Sequence, residues 1–76
     1  MGEVEIEYCV PCGLLDEAQD AQQAILEEFG QDIEAVRLKT GDGGVFKIRV
    51  NGEEIYDKND EGYKEGEIIE RVRQRL

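Results

Sequence analysis

"EVEIEYCVPCGLLDEAQ", residues 3–19, changes period midway, and that change decides the fold. Val4, Ile6 and Tyr8 alternate with Glu3, Glu5 and Glu7, as in a strand with one buried face. Further on, Leu14, Ala18, Ala21, Ile25 and Phe29 recur at helical spacing, leaving Asp16, Glu17, Asp20, Glu27 and Glu28 for the wet side. Gly30 follows as a C-terminal stop. At the junction stand Cys9, Val10, Pro11, Cys12 and Gly13.

Outward from this segment the pattern continues. "AVRLKT", residues 35–40, alternates again, with Val36 and Leu38 inward and Arg37 and Lys39 outward. "GDGG", residues 41–44, reads as a loop. In "VFKIRVNGEEIYDK", residues 45–58, Phe46, Ile48 and Val50 lead into Asn51-Gly52, with Ile55 beyond. Asn-Gly between two alternating runs predicts a type I′ hairpin, because both central residues must take positive φ. In the last segment Ile68, Ile69, Val72 and Leu76 form an apolar stripe. Glu65 and Glu67 stand early and Arg71, Arg73 and Arg75 late, each where a helix dipole favours that charge.

The expected order is β-α-β-β-β-α, an α/β two-layer domain over residues 1–76. The first two strands, joined through a helix, should be parallel with a right-handed crossover. Outward residues set the strand order. The first strand shows only glutamates. The second shows Arg37 and Lys39, and the third Lys47 and Arg49. Opposite charges on adjacent strands attract, so the acidic strand belongs between the two basic ones. The predicted sheet is mixed, four-stranded and ordered 2-1-3-4, with both helices on the face opposite the charges. Phe46 falls in the core.

The totals exclude several roles. Seventy-six residues bury little apolar surface, so stability should be thin and no large substrate pocket can be walled. Nineteen acids against nine bases give a net charge of −10, which repels nucleic acid and anionic membranes. The acids are spread along the chain, as in a solvated coat suited to a salt-rich cytosol; a partner with a basic surface is the alternative. No apolar run is long enough for a membrane span. The N-terminus has no signal-peptide pattern, and "GEVEI" lacks the Ser or Thr of a myristoylation site. A cytoplasmic monomer is expected.

The chain has two cysteines and no histidine. The reading places Cys9 at the end of the first strand and Cys12 in the first turn of the first helix. A helix start offers unpaired N–H groups and a positive dipole end, which favour a thiolate, the attacking species in exchange. Glu7, Asp16 and Glu17 oppose that effect. Pro11 restricts the turn and has no N–H to satisfy. A purely stabilising disulfide is a weak reading, since so short a loop removes little unfolded-state entropy. Zinc needs four ligands, which two chains together could supply. Inert thiols are a further reading. A cytosolic Cys-x-x-Cys beside a β-α-β unit favours redox use. Which cysteine attacks stays open.

Together with "YCVPCG", the spacing of Gly44, Phe46, Gly52 and Ile55 and the "EGY" at 61–63 give the chain a close resemblance to the selenoprotein W family. This is the Rdx branch of the thioredoxin-like proteins, and the resemblance covers nearly the whole chain. It implies a thioredoxin-like fold and a redox-active Cys9–Cys12 disulfide, supported by Val10, Pro11 and Gly13, with no metal and no organic cofactor. Selenocysteine in that family occupies the position of Cys12. The resemblance therefore implies Cys12 as the reactive atom and Cys9 as its resolving partner. Expected partners are protein or glutathione disulfides and a thiol reductant or reductase, with glutathione a candidate co-substrate. Ordinary thioredoxins place a cis-proline opposite the motif; this chain has Asp42-Gly43-Gly44 there. Gly43 and Gly44 either leave room for a substrate to approach the backbone or form a plain flexible loop. A redox-sensitive binding module with little turnover is the rival to an oxidoreductase.

Overall fold

The computed structural model describes residues 2–76. Its elements are β1 (Glu3–Cys9), α1 (Leu15–Phe29), a short 3-10 turn (Gly30–Asp32), β2 (Ala35–Gly41), β3 (Phe46–Val50), β4 (Glu53–Asp57) and α2 (Glu65–Arg75). The sheet runs β2-β1-β3-β4, the order the charges predict. β1 is parallel to β2 and antiparallel to β3, and β3 is antiparallel to β4.

In register, Glu5 faces Arg37 and Arg49, and Glu7 faces Lys39 and Lys47. The closest ion pairs run diagonally instead: Arg37 to Glu3 at 2.9 Å and Arg49 to Glu7 at 3.0 Å. Long side chains reach across the pleat to a neighbour two residues away. Lys47 turns the other way, to Glu54 at 3.7 Å and Asp57 at 3.9 Å on β4. Pairs that keep contact with solvent, as these exposed and partly buried ones do, contribute about 0–1 kcal/mol each, so they select strand order more than they hold the fold.

The opposite face carries the core. Val4, Ile6 and Tyr8 of β1 and Phe46, Ile48 and Val50 of β3 pack with Ala18, Ala21, Ile25 and Phe29 of α1 and Ile68 and Val72 of α2. Both helices therefore lie on one side. Asn51, at φ 52°, and Gly52, at φ 87°, both take positive φ, as the type I′ turn demands. Asn51 also anchors the start of β1: its N–H donates to the Glu3 carbonyl, and its Oδ1 accepts from the Glu3 N–H.

Three expectations need adjustment. Cys12 is not in the first turn of α1. It sits in a tight turn over residues 10–13, and Leu14 is the residue preceding the helix. Gly13 takes φ 77°, outside the helical region, so the helix cannot begin earlier. Gly41 ends β2 and does not open the loop, which runs over 42–45. Leu76 is exposed, because α2 ends at Arg75 and the apolar stripe runs past the edge of the core.

β4 contains a bulge that alternation could not reveal. Ile48 pairs with Tyr56 while Arg49 pairs with Glu54, leaving Ile55 extra. Consecutive residues Ile55 and Tyr56 are consequently both buried. The unladdered carbonyl of Ile55 accepts a hydrogen bond from Arg71 Nη1 at 3.0 Å. Arg71 also grips Glu61, its Nη1 and Nη2 donating to the two carboxylate oxygens at 2.7 and 2.8 Å.

Candidate functional site

Cys9 and Cys12 are joined in a disulfide, with Cα atoms 5.3 Å apart. Two local facts bring them together. β1 holds Cys9 in ladder register to its last residue, facing Gly41. Beyond it the chain folds back, with the Gly13 N–H donating to the Val10 carbonyl at 3.1 Å and the Leu14 N–H to the Cys9 carbonyl at 3.3 Å. Val10 and Pro11 fill the turn.

The two sulfur-bearing residues differ sharply in environment. Cys9 is fully buried, whereas Cys12 is exposed, together with Val10, Pro11 and Gly13. α1 starts three residues after Cys12 with no side-chain cap. Its first-turn N–H groups and positive dipole end therefore lie just beyond the turn, while Asp16 and Glu17 add negative charge to that first turn.

The 42–45 loop borders the disulfide directly. The Cys9 N–H donates to the Val45 carbonyl at 2.8 Å, and the Val10 N–H to the Gly41 carbonyl at 3.0 Å. These backbone partners carry no side-chain signature in the sequence; only the loop's general placement was legible. Gly41 is required by crowding: a Cβ there would come within 2.8 Å of a Val45 methyl and 3.1 Å of Glu7 Oε2. Gly43 and Gly44 take φ of 67° and 80°, with open space where a Cβ would stand. Their role is the left-handed turn that returns the chain to β3.

A four-stranded mixed sheet, two helices on one face and a Cys-x-x-Cys at the strand-to-helix junction define a small thioredoxin-like redox domain. Residues 3–74 match the Rdx family, and the chain belongs to that family. Among solved structures it is similar to a protein from Bordetella parapertussis, at 36% identity and a TM-score of 0.94, over 99% of this chain and 98% of that one. It is also similar to a selenoprotein W-related protein from Vibrio cholerae, at 32% identity and a TM-score of 0.92, covering 96% and 94% of the two chains. Among curated relatives, it is 32% identical to the Bos taurus protein named migration and invasion enhancer 1 over 92% of this chain. The chain spans 61% of that relative's length. Among the described residues, no helix is long and apolar enough to cross a membrane.

Proposed function

We propose that this protein exchanges electrons with protein or glutathione disulfides through Cys9 and Cys12, and that Cys12 is the attacking sulfur. The observation that carries this reading is the unequal exposure of the pair: Cys12 can meet a partner and Cys9 cannot. In the reduced protein, the Cys12 thiolate attacks one sulfur of a partner disulfide. An S–S bond forms to Cys12, and the partner's other sulfur leaves as a thiolate that takes up a proton. The Cys9 thiolate then attacks Cys12 Sγ from within, and the second partner thiolate departs. The partner gains two electrons, and the Cys9–Cys12 bridge of the structure is the product. A thiol pool or reductase returns the pair to the dithiol. In this reading the protein works as a cytoplasmic monomer without metal or organic cofactor.

Serine variants test it. With a glutathionylated peptide, Cys9→Ser should stall at a stable adduct on Cys12, visible by mass spectrometry. Cys12→Ser should give neither adduct nor turnover. An adduct on Cys9 in the second variant, with none in the first, reverses the assignment. Full activity in the double variant ends the redox reading.

A second reading has its own support. Val10 and Leu15 are 51% and 43% exposed beside Cys12, a small apolar rim that a partner could read in one redox state only. Capture of a partner by oxidised but not reduced protein, without turnover, would favour this binding module over an oxidoreductase.

A further inference from the structure

At the same end of the sheet as the disulfide, on the helix side, three rings meet nearly at right angles. Phe46 and Tyr56 have centroids 6.2 Å apart at 83°, Phe46 and Tyr63 6.2 Å at 76°, and Tyr56 and Tyr63 5.8 Å at 86°. Phe46 and Tyr56 are buried, and Tyr63 is 41% exposed as the outer wall. A cavity of about 180 Å³ remains beside them, lined also by Glu17, Asp20 and Lys58. Sites for whole small molecules run to roughly 300–1,000 Å³, so this one suits a single side chain.

Its position ties it to the redox pair. Phe46 directly follows Val45, whose carbonyl holds the Cys9 N–H, and Glu17 lies in the first turn of α1, just past the turn of Cys12. Its chemistry favours a cation. Aromatic faces attract ammonium and guanidinium groups, and two carboxylates outnumber the one ammonium of Lys58. The Tyr63 phenol has its pKa held above the ordinary value by burial first, and then by Glu65, Tyr56 and Asp20. Burial is the main cause; only the smaller part from the Glu65 and Asp20 carboxylates reflects negative surroundings. An acidic side chain would be repelled here.

We propose that this aromatic pocket is the specificity site for the redox partner, receiving the Lys or Arg side chain that neighbours the oxidised cysteine in a basic polypeptide. The proposal rests on the Cys12-centred exchange described above. It also gives the net charge of −10 a local use and Tyr63 a role beyond packing.

The test uses glutathionylated peptides of constant composition, in which a single lysine is moved through positions on either side of the cysteine. With reduced protein, one or two registers should react roughly five- to thirtyfold faster than a peptide with glutamine for lysine, the span of a partly desolvated cation–π contact. Glu17→Gln combined with Asp20→Asn, both exposed positions, should flatten that preference, read as the ratio of the lysine to the lysine-free rate, because removing the Glu17 charge near Cys12 changes both rates together. Tyr63→Ala should do the same, with circular dichroism confirming its fold. Rates independent of lysine position, or fastest with glutamate, overturn the pocket. The same peptides with serine for cysteine should shift the Tyr63 ring resonances in the same register order. If they do so while no peptide is turned over, the redox reading fails and the cation pocket stands; if neither turnover nor shift is seen, both fall.

Discussion

Cys9 ends a paired strand under the 42–45 loop, while Cys12, three residues on, faces solvent. Spacing alone could bring the two sulfurs together, but it could not rank them, because burial at a strand end depends on which loop crosses it. Phe46 was legible for the opposite reason: strict alternation through Ile48 and Val50 puts it on the core face whatever surrounds it. It is 3% exposed and meets two tyrosine rings edge to face. Phe46→Ala should cost about 3–5 kcal/mol, read by chemical denaturation of the oxidised protein. A variant with unchanged midpoint would show that this ring bears little on stability. Tyr56 and Tyr63, which complete the cluster, were not legible as a group. The bulge at Ile55 hides the first from any alternating pattern, and the second stands in a stretch with no regular period.

Charge made the elements readable. A strand whose outward face is all glutamate, between two with basic outward residues, predicts the centre of the sheet, and Asn51-Gly52 predicts the hairpin, because each rests on chemistry between adjacent strands. The start of α1 was misjudged by a turn, since helical spacing persists through Leu14 while Gly13 has already left helical backbone. The link between α2 and β4 was invisible: Arg71 reads as one of three late arginines, yet it closes the bulge by binding the Ile55 carbonyl and Glu61 together. That link has a pH signature. Hydrogen bonding from Arg71 holds the Glu61 carboxyl below the usual carboxylate range, against the opposing effect of its burial and with help from the Arg71 and Lys64 charges. A group whose pKa is lower folded than unfolded contributes stability above its unfolded pKa and loses it as pH falls through the folded one. The melting-temperature advantage of wild type over Glu61→Gln should therefore be present at neutral pH and shrink to nothing in strong acid. An advantage that persists there would assign it to packing instead.

At the scale of the molecule, stability and redox state are linked through the smallest loop a Cys-x-x-Cys can close. Chain-entropy arguments give about 2 kcal/mol for such a loop, on the order of 10 °C in melting temperature for a domain this size. Melts with and without a phosphine reductant should differ by that amount and no more, with both forms folded at room temperature. If the reduced form is unfolded there, the bridge is a structural staple and the exchange cycle loses its working intermediate.

The two faces of the sheet also divide the molecule electrically. The outer face interleaves glutamates with Arg37, Lys39, Lys47 and Arg49 and comes close to local balance. By contrast, α1 carries Asp16, Glu17, Asp20, Glu27 and Glu28 and no basic residue, although acids in its last turn oppose the helix dipole. α1 is thus a uniformly acidic surface whose N-terminal end lies just past the turn of Cys12. Its charge attracts a cationic polypeptide toward that end of the molecule. Encounter rates with such a partner should fall steeply as ionic strength rises, so the medium's salt content becomes a dial on how often productive collisions occur.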